Sequence, residues 1–392
     1  MNAQPLHSAT AVRTPRVLLL CDRLDLAGGV ERFVCTLAGQ LDAVGMNVAV
    51  GSVHTPAADV RYPLPDRVRV LHGARALPAG EGAWTLLRKQ WRIGRALAAL
   101  VRDEQPDVVI LNGLTTACSV LAVTAFTAPG VAPRTICCDH NHFDARSKPW
   151  RRLRAGLYRR VAAVVSLSHA DSARYAAINP RTEVIHNAAS LRAEVPEALD
   201  AISALEAPTV LAVGRHVAQK GLDLLLTAWV RVQAQMPAAR LRILGDGPLT
   251  AALQAQARAL GVDRSVQWLA PTAQVQAHYR AAAVFVLPSR YEGMPLALLE
   301  AQALGVPAVA FDCPTGPAEI IHADTGVVVP PGDTQALAGA LLRLLADAPL
   351  RERMGRAAIA RSTAEFSPAR HVQQWTALVR RVAADVQRGV LA

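Results

Sequence analysis

Two glutamates eight positions apart, Glu292 and Glu300, stand in LPSRYEGMPLALLEAQALGVPAVAF, from Leu287 to Phe311. The pattern predicts a strand ending at Leu287, a loop, and a helix whose first position is Pro295, where a missing N–H costs nothing. Gly293 removes a side chain where the backbone could approach a ligand. A helix start offers free amides and a partial positive charge, a ready site for phosphate. Glu292 precedes the helix and Glu300 lies about a turn and a half inside it. The two carboxylates therefore do not share a helical face as a proton-transfer pair. They are better placed to grip two ends of one ligand, because carboxylates accept charge-assisted hydrogen bonds from hydroxyls. The same residue types would serve as a solvated loop glutamate and an exposed helix glutamate, although Glu300 stands among the apolar neighbours of LALLEAQAL.

Three further constellations carry chemistry. In VLAVGRHVAQKGLDLLL (Val210–Leu226) a strand runs into Gly214 and Arg215, and Lys220-Gly221 opens the next helix. Two cations five positions apart at a strand-to-helix loop can clamp a diphosphate at the C-terminal edge of a sheet, or stay solvated. In LAGGVER (Leu26–Arg32), Gly28 and Gly29 let backbone amides approach an anion, or simply make a tight turn. In CCDHNHF, His140 lies just past a strand end, where it can bond a ligand hydroxyl or steady developing charge; His142 is the alternative, and a plain loop histidine is the third reading. Gly245-Asp246-Gly247-Pro248 is, alone, a turn signal.

Alternating strands and helices must position these residues. Short runs apolar on both faces predict strands at Val17–Cys21, Val48–Val53, Val68–Leu71, Val108–Leu111, Thr135–Cys138, Val161–Leu167 and Val184–Ile185. The pattern restarts at Val210–Val213, Leu241–Leu244, Val266–Leu269, Val284–Leu287, Ala308–Phe311 and Val327–Val329. Helical spacing marks Trp84–Val101, Arg151–Arg160, Leu222–Gln235, Leu249–Leu260, Pro295–Leu304, Thr334–Ala346 and Arg351–Thr363. The expected fold class is α/β with two Rossmann-like doubly wound domains. Residues 1–190 form the first, 191–208 a proline-containing linker and 209–370 the second. A final helix, His371–Val390, has no strand after it, and in a two-domain α/β protein such a tail can either cross back to the first domain or stay with the second.

The chain has 392 residues, is 52% hydrophobic and 19% charged, and carries a formal +11. It can bury two sizeable cores. Positions 1–190 hold 23 basic and 14 acidic residues, and positions 191–392 hold 19 and 17, so the excess belongs to the first half. Arg146–Arg160 (RSKPWRRLRAGLYRR) concentrates seven cations around Trp150, Leu153, Leu157 and Tyr158. Arg151, Arg152 and Arg154 are its expected membrane or acceptor surface, each cation near an anionic bilayer contributing about 1 kcal/mol. A solvated helix face is the plainer reading, and Trp84–Leu100 is a second segment of the same kind. No base-reading or stacking module accompanies the charge, so nucleic acid is not the expected partner. The longest apolar stretch, Ser119–Pro133, is too short and too broken for a spanning helix, and the N-terminus has no apolar core of signal-peptide type. The six cysteines form no C-x-x-C and read as reduced, buried small hydrophobes.

The stretch Leu287–Phe311 closely resembles the C-terminal signature of the retaining glycosyltransferases of family 4, which have the GT-B fold. That signature is a Glu, seven residues and a second Glu, preceded by Pro-Ser and followed by Ala-x-x-x-Gly-x-Pro. It stands here as PSRYEGMPLALLEAQALGVP, with Met294 where Phe is more usual. FDCPTGPAEII (Phe311–Ile321) is similar to a branch that uses nucleotide-activated hexoses or N-acetylhexosamines in building surface polysaccharides. Ile185-His186-Asn187 matches the family's Ile-x-Asn, with Ala188 replacing the usual Pro.

The resemblance implies that Arg215 and Lys220 bind the donor diphosphate beside Gly214 and the backbone at Gly293, Met294, Pro295 and Leu296. It implies that Gly28-Gly29 reaches toward the donor phosphate, Glu292 holds the transferred sugar, Glu300 the ribose, and His140 the sugar from the opposite domain. The implied reaction moves a sugar from a nucleotide donor, expected to be a UDP-sugar, to a lipid-linked glycan or lipopolysaccharide acceptor. No metal or other cofactor is expected, since the nucleotide sugar is a substrate and cationic groups take the leaving charge. The expected place is the cytoplasm, peripheral on the inner face of an anionic membrane. A sugar-nucleotide epimerase of the same two-sheet architecture is the alternative, and a non-catalytic anion- or membrane-binding protein a third.

Overall fold

In a computed structural model, which describes residues 13–26, 28–53, 59–73, 83–191 and 208–390, the apolar runs of the first half form seven parallel strands. These are β1 (Arg16–Leu20), β2 (Asn47–Ser52), β3 (Arg69–His72), β4 (Val108–Asn112), β5 (Thr135–Cys138), β6 (Ala163–Ser166) and β7 (Thr182–Val184). Their spatial order is β3-β2-β1-β4-β5-β6-β7. Leu18 of β1 registers with Ala49 on one side and Val109 on the other. The helices between them are α1 (Gly29–Ala43), α2 (Ala83–Glu104), α3 (Leu114–Thr127), α4 (Lys148–Leu157) and α5 (His169–Ala176). Every residue of β4 is buried, as a central strand covered on both faces requires.

The second half repeats the plan with β8 (Thr209–Val213), β9 (Arg240–Leu244), β10 (Val266–Leu269), β11 (Val284–Leu287), β12 (Ala308–Phe311) and β13 (Gly326–Val329), ordered β10-β9-β8-β11-β12-β13. Its helices are α6 (Leu222–Gln235), α7 (Thr250–Ala259), α8 (Val275–Arg280), α9 (Leu296–Ala303), the single turn α10 (Pro317–Ile320), α11 (Thr334–Ala346) and α12 (Ala348–Glu365). Strand order reverses between β1 and β4 and again between β8 and β11, and doubly wound sheets bind ligands at the carboxyl ends of strands at such switch points.

Among the described residues, three apolar cores hold these layers. Ile93, Leu97 and Val101 of α2 pack with α3 and α4 on one face of the first sheet. Trp229 and Leu341 fill one face of the second. The largest core is continuous between the halves, joining Val17 and Phe33 to Phe285, Leu298 and Trp375. Trp375 belongs to α13 (Pro368–Gln387), which lies against α1 and β4. There His371 Nδ1 is 2.8 Å from Gln40 Oε1.

Some expected boundaries move for local reasons. Pro295 is the cap of α9 and not its first helical residue: its backbone is extended and its carbonyl accepts the amides of Leu298 and Leu299. The strand expected from Val161 begins at Ala163, because Tyr158–Arg160 closes as a 3-10 turn. The basic helix spans Lys148–Leu157. The apolar stretch near Ser119 is mostly α3, a helix buried against the first sheet whose Ser119 and Thr124 hydroxyls donate to the Thr115 and Val120 carbonyls one turn back. No helix among the described residues is long and apolar enough to cross a membrane, and all six cysteines are free and buried. Residues 192–207, most of the expected linker, lie outside the described residues.

Candidate active site

The second half supplies one wall of a cleft. Gly214 follows β8, and a side chain there would press on the Lys220 stem, 3.3 Å from its Cε. Lys220 ends a 3-10 turn that is closed by Gly221 in the left-handed region, φ 62°. A Cβ on Gly221 would stand 1.9 Å from the Pro288 carbonyl, so glycine lets this turn dock on the loop after β11. Docked there, Lys220 Nζ donates to Glu292 Oε1 at 2.7 Å, and Ser289 Oγ donates to the same oxygen at 2.6 Å. Arg290 forks onto Asp223 at 2.8 and 2.6 Å, and this hydrogen bonding holds the Asp223 carboxyl below its ordinary pKa. The loop of Pro-Ser-Arg-Tyr-Glu is thus pinned before α9 begins.

The α9 start has no side-chain cap, so no cap side chain satisfies its first amides. Gly293 meets the first half here: a Cβ would lie 2.4 Å from the His140 carbonyl oxygen. Asn187 donates across the halves to the Met294 carbonyl at 2.9 Å. The Met294 side chain itself is buried in the shared core, leaving only its backbone for a ligand. Leu296 faces Gly29, whose Cβ would lie 3.8 Å from Leu296 Cδ1. The α1 start, capped only by the Gly28 backbone, therefore faces the α9 start.

The first half supplies the other wall. His140 Nε2 is 3.1 Å from Asn112 Oδ1, while Asn112 Nδ2 donates to the Leu20 carbonyl at 3.2 Å. That network assigns the imidazole proton to Nε2. Burial drives the His140 pKa down to about 3, so the ring is neutral at physiological pH. Phe33 meets it edge-on at 4.6 Å. His142 lies further out, edge-on to Tyr291 of the opposite half at 5.4 Å. Arg215 is exposed at the rim and joins Glu31, Asn112, His140, Asp22 and Arg23 around a cavity of 270 Å³.

Glu300 has an arrangement that sequence could not show. It is only 1% exposed, and its Oε1 takes a bond from Arg32 of α1 together with one from Ser190 Oγ at 2.8 Å. Its Oε2 accepts from Tyr279 at 3.1 Å. The carboxylate sits in a cross-half knot and not on an exposed helix face.

Arg154 does not belong to the surface expected of it. It is 1% exposed, its guanidinium 3.5 Å over the Phe143 ring and 3.4 Å from Asp139 Oδ2. Asp139 also takes the hydroxyls of Tyr158 at 2.7 Å and Tyr175 at 2.9 Å. The physical reason is that the buried carboxylate needs a counter-cation, and α4 turns Arg154 inward to supply it. Arg151 is tied to Asp144, which also binds Arg174; those guanidiniums lower the Asp144 pKa to about 2. Of the three, only Arg152 is open to solvent. The broader basic face is on α2, where Arg88, Lys89, Trp91, Arg92 and Arg95 are all exposed.

Known proteins match this chain over both halves. The family model described as Glycosyltransferase Family 4 covers residues 27–192, and that described as Glycosyl transferases group 1 covers residues 207–347. An amylovoran biosynthesis glycosyltransferase, AmsD of Erwinia amylovora, is 28% identical over 92% of this chain and 98% of its own length. Sucrose-phosphate synthase from Thermosynechococcus elongatus superposes with a TM-score of 0.80 at 21% identity, covering 95% of this chain and all of that one. Anabaena Alr3699/HepE in complex with UDP and glucose superposes at 0.73 with 19% identity, over 92% and 98%. These matches do not favour the epimerase alternative. With the paired switch points and the Glu292–Glu300 loop in place, they establish the chain as a glycosyltransferase of family 4 with the GT-B fold.

Proposed function

We propose that this enzyme transfers a hexose or N-acetylhexosamine, with retention and without a metal, from a UDP-sugar to a lipid-linked glycan or lipopolysaccharide acceptor. The observation that carries the reading is the Lys220–Glu292 pair beside the α9 start, which no side chain caps, with Arg215 lining the neighbouring cavity. Lys220, Arg215 and the backbone at Gly293–Leu296 would stabilise the diphosphate as its charge grows in the transition state. Glu292 holds the transferred sugar, and neutral His140 bonds it from the facing half. Glu300 reads the ribose once Arg32 withdraws from it. The acceptor attacks from the face the diphosphate leaves, and the leaving phosphate takes the acceptor proton. The UDP bound in the Anabaena structure supports the choice of base, and the amylovoran relative supports a polysaccharide acceptor. The basic α2 face, with Trp91 47% exposed, would hold the enzyme on an anionic inner-membrane surface.

Thermal shift against UDP-, GDP- and ADP-sugars should show stabilisation by the UDP series, since ligand bound to the native state raises stability by mass action. Transfer should need no added divalent cation, and the anomeric configuration of the product should match the donor. Arg215→Ala and Lys220→Ala should each lower kcat by about 100-fold or more while the protein stays folded. Unchanged turnover in both variants would remove the diphosphate assignment.

A further inference from the structure

Beside the cleft, three metal-ligating side chains from three segments meet at the join between the halves. His169 opens α5, His186 follows β7, and Glu319 lies in α10 of the second half. One potential ligand atom from each lies within 4.8 Å of the others. The two imidazoles meet edge-on with centroids 5.1 Å apart, and His186 Nε2 is 3.4 Å from Glu319 Oε2. His186 Nε2 is buried and makes no hydrogen bond among the described residues. Glu319 is aimed at this point by its surroundings: the amides of His169 and Ala170 bond its two oxygens at 2.8 and 2.9 Å. Arg361 bonds the Glu319 backbone carbonyl, leaving the carboxylate to the amides and imidazoles. Each carboxylate oxygen keeps a second lone pair after accepting one amide.

We propose that His169, His186 and Glu319 form a zinc site that ties the first half of the enzyme to the second. Two imidazole nitrogens and one carboxylate match zinc and disfavour calcium or magnesium, which take oxygen donors. Small rotations would bring the three donors from their present spacing to coordination distance, with water completing the tetrahedron. His169 is exposed, so an ion can enter from solvent. The site reaches the donor loop through a short path. Three residues before Glu319, Gly316 packs so tightly on that loop that a Cβ would be 2.8 Å from the Gly293 carbonyl and 2.6 Å from Pro295 Cδ. Zinc therefore fixes the turn that backs the α9 start and restrains separation of the halves.

The test uses metal-free full-length protein titrated with zinc sulfate in competition with a chromophoric chelator. Wild type should bind one ion that raises the Tm, and cobalt(II) in its place should give the strong visible bands of a four-coordinate ion. His169→Ala changes an exposed residue at a helix start and keeps the fold. It should weaken binding about 100-fold and abolish the Tm rise, as should Glu319→Gln. One equivalent of zinc bound equally by wild type and His169→Ala, or no binding by wild type, would overturn the site.

Discussion

Gly293 shows how a single absent side chain governs this cleft. An added Cβ would stand 2.4 Å from the His140 carbonyl oxygen and 2.8 Å from its carbon, both backbone atoms that cannot swing aside. Gly293→Ala should therefore wedge the halves apart at the point where the α9 start faces His140. A displacement of about 1 Å in a catalytic arrangement can cost about 100-fold, so kcat/KM should fall at least about 10-fold with the fold retained. Wild-type kinetics for this variant would show that the approach is not needed for catalysis. The place of Gly293, Lys220 and Glu292 in strand-to-helix loops was legible in the sequence because that geometry is local, while the roles expected of them came from the family resemblance. The partners of Glu300 were not. Arg32 and Ser190 precede it by 268 and 110 positions, and nothing in their own surroundings marks them for a carboxylate in the other half. Asn112 was hidden for the same reason, although an Asn ending an apolar strand is a signal of a polar task at a sheet edge.

At the scale of elements, parallel strands and helices were legible because strands buried on both faces are continuous apolar runs. Helix α4 was legible as a helix but not in its orientation. Arg151, Arg152 and Arg154 look alike in a hydropathy pattern, yet the buried Asp139, Tyr158 and Tyr175 take Arg154 inward. The two kinds of arginine should respond in opposite ways. Arg154→Ala strands a buried carboxylate and should cost about 3 kcal/mol of stability, seen as a lower Tm, with no specific loss of vesicle binding. Replacing Arg88, Lys89 and Arg92 on the open face of α2 by serine should change stability by less than about 0.5 kcal/mol each. It should release the protein from anionic vesicles, at about 1 kcal/mol per cation. Undiminished sedimentation with those vesicles would exclude α2 as the membrane face.

For the whole molecule, α13 closes the chain on itself: after two sheets are complete, it returns to the first and fills the shared core with Trp375, Leu378 and Val379. Its anchor is His371, buried between Phe33 and Trp375 and bonded to Gln40. Burial lowers the His371 pKa from 6.5 to about 4. The sign follows from proton binding. Between these values the unfolded chain takes up a proton that the folded chain refuses, so acid favours unfolding. The contribution of His371 is intact above about pH 6.5 and is lost as pH falls toward 4. At pH 5 the loss is about 2 kcal/mol. His140, with its pKa also lowered by burial, acts in the same direction, so the enzyme should lose stability steadily in mild acid. Unfolding of wild type and His371→Phe, compared from pH 7.5 to 4.5, should isolate the share of α13. The phenyl ring keeps the shape and cannot protonate, so the variant should have the shallower slope, with the residual owed to His140 and other groups. Parallel slopes would mean that α13 leaves the core before His371 takes its proton, and that the crossing helix opens independently of the two sheets.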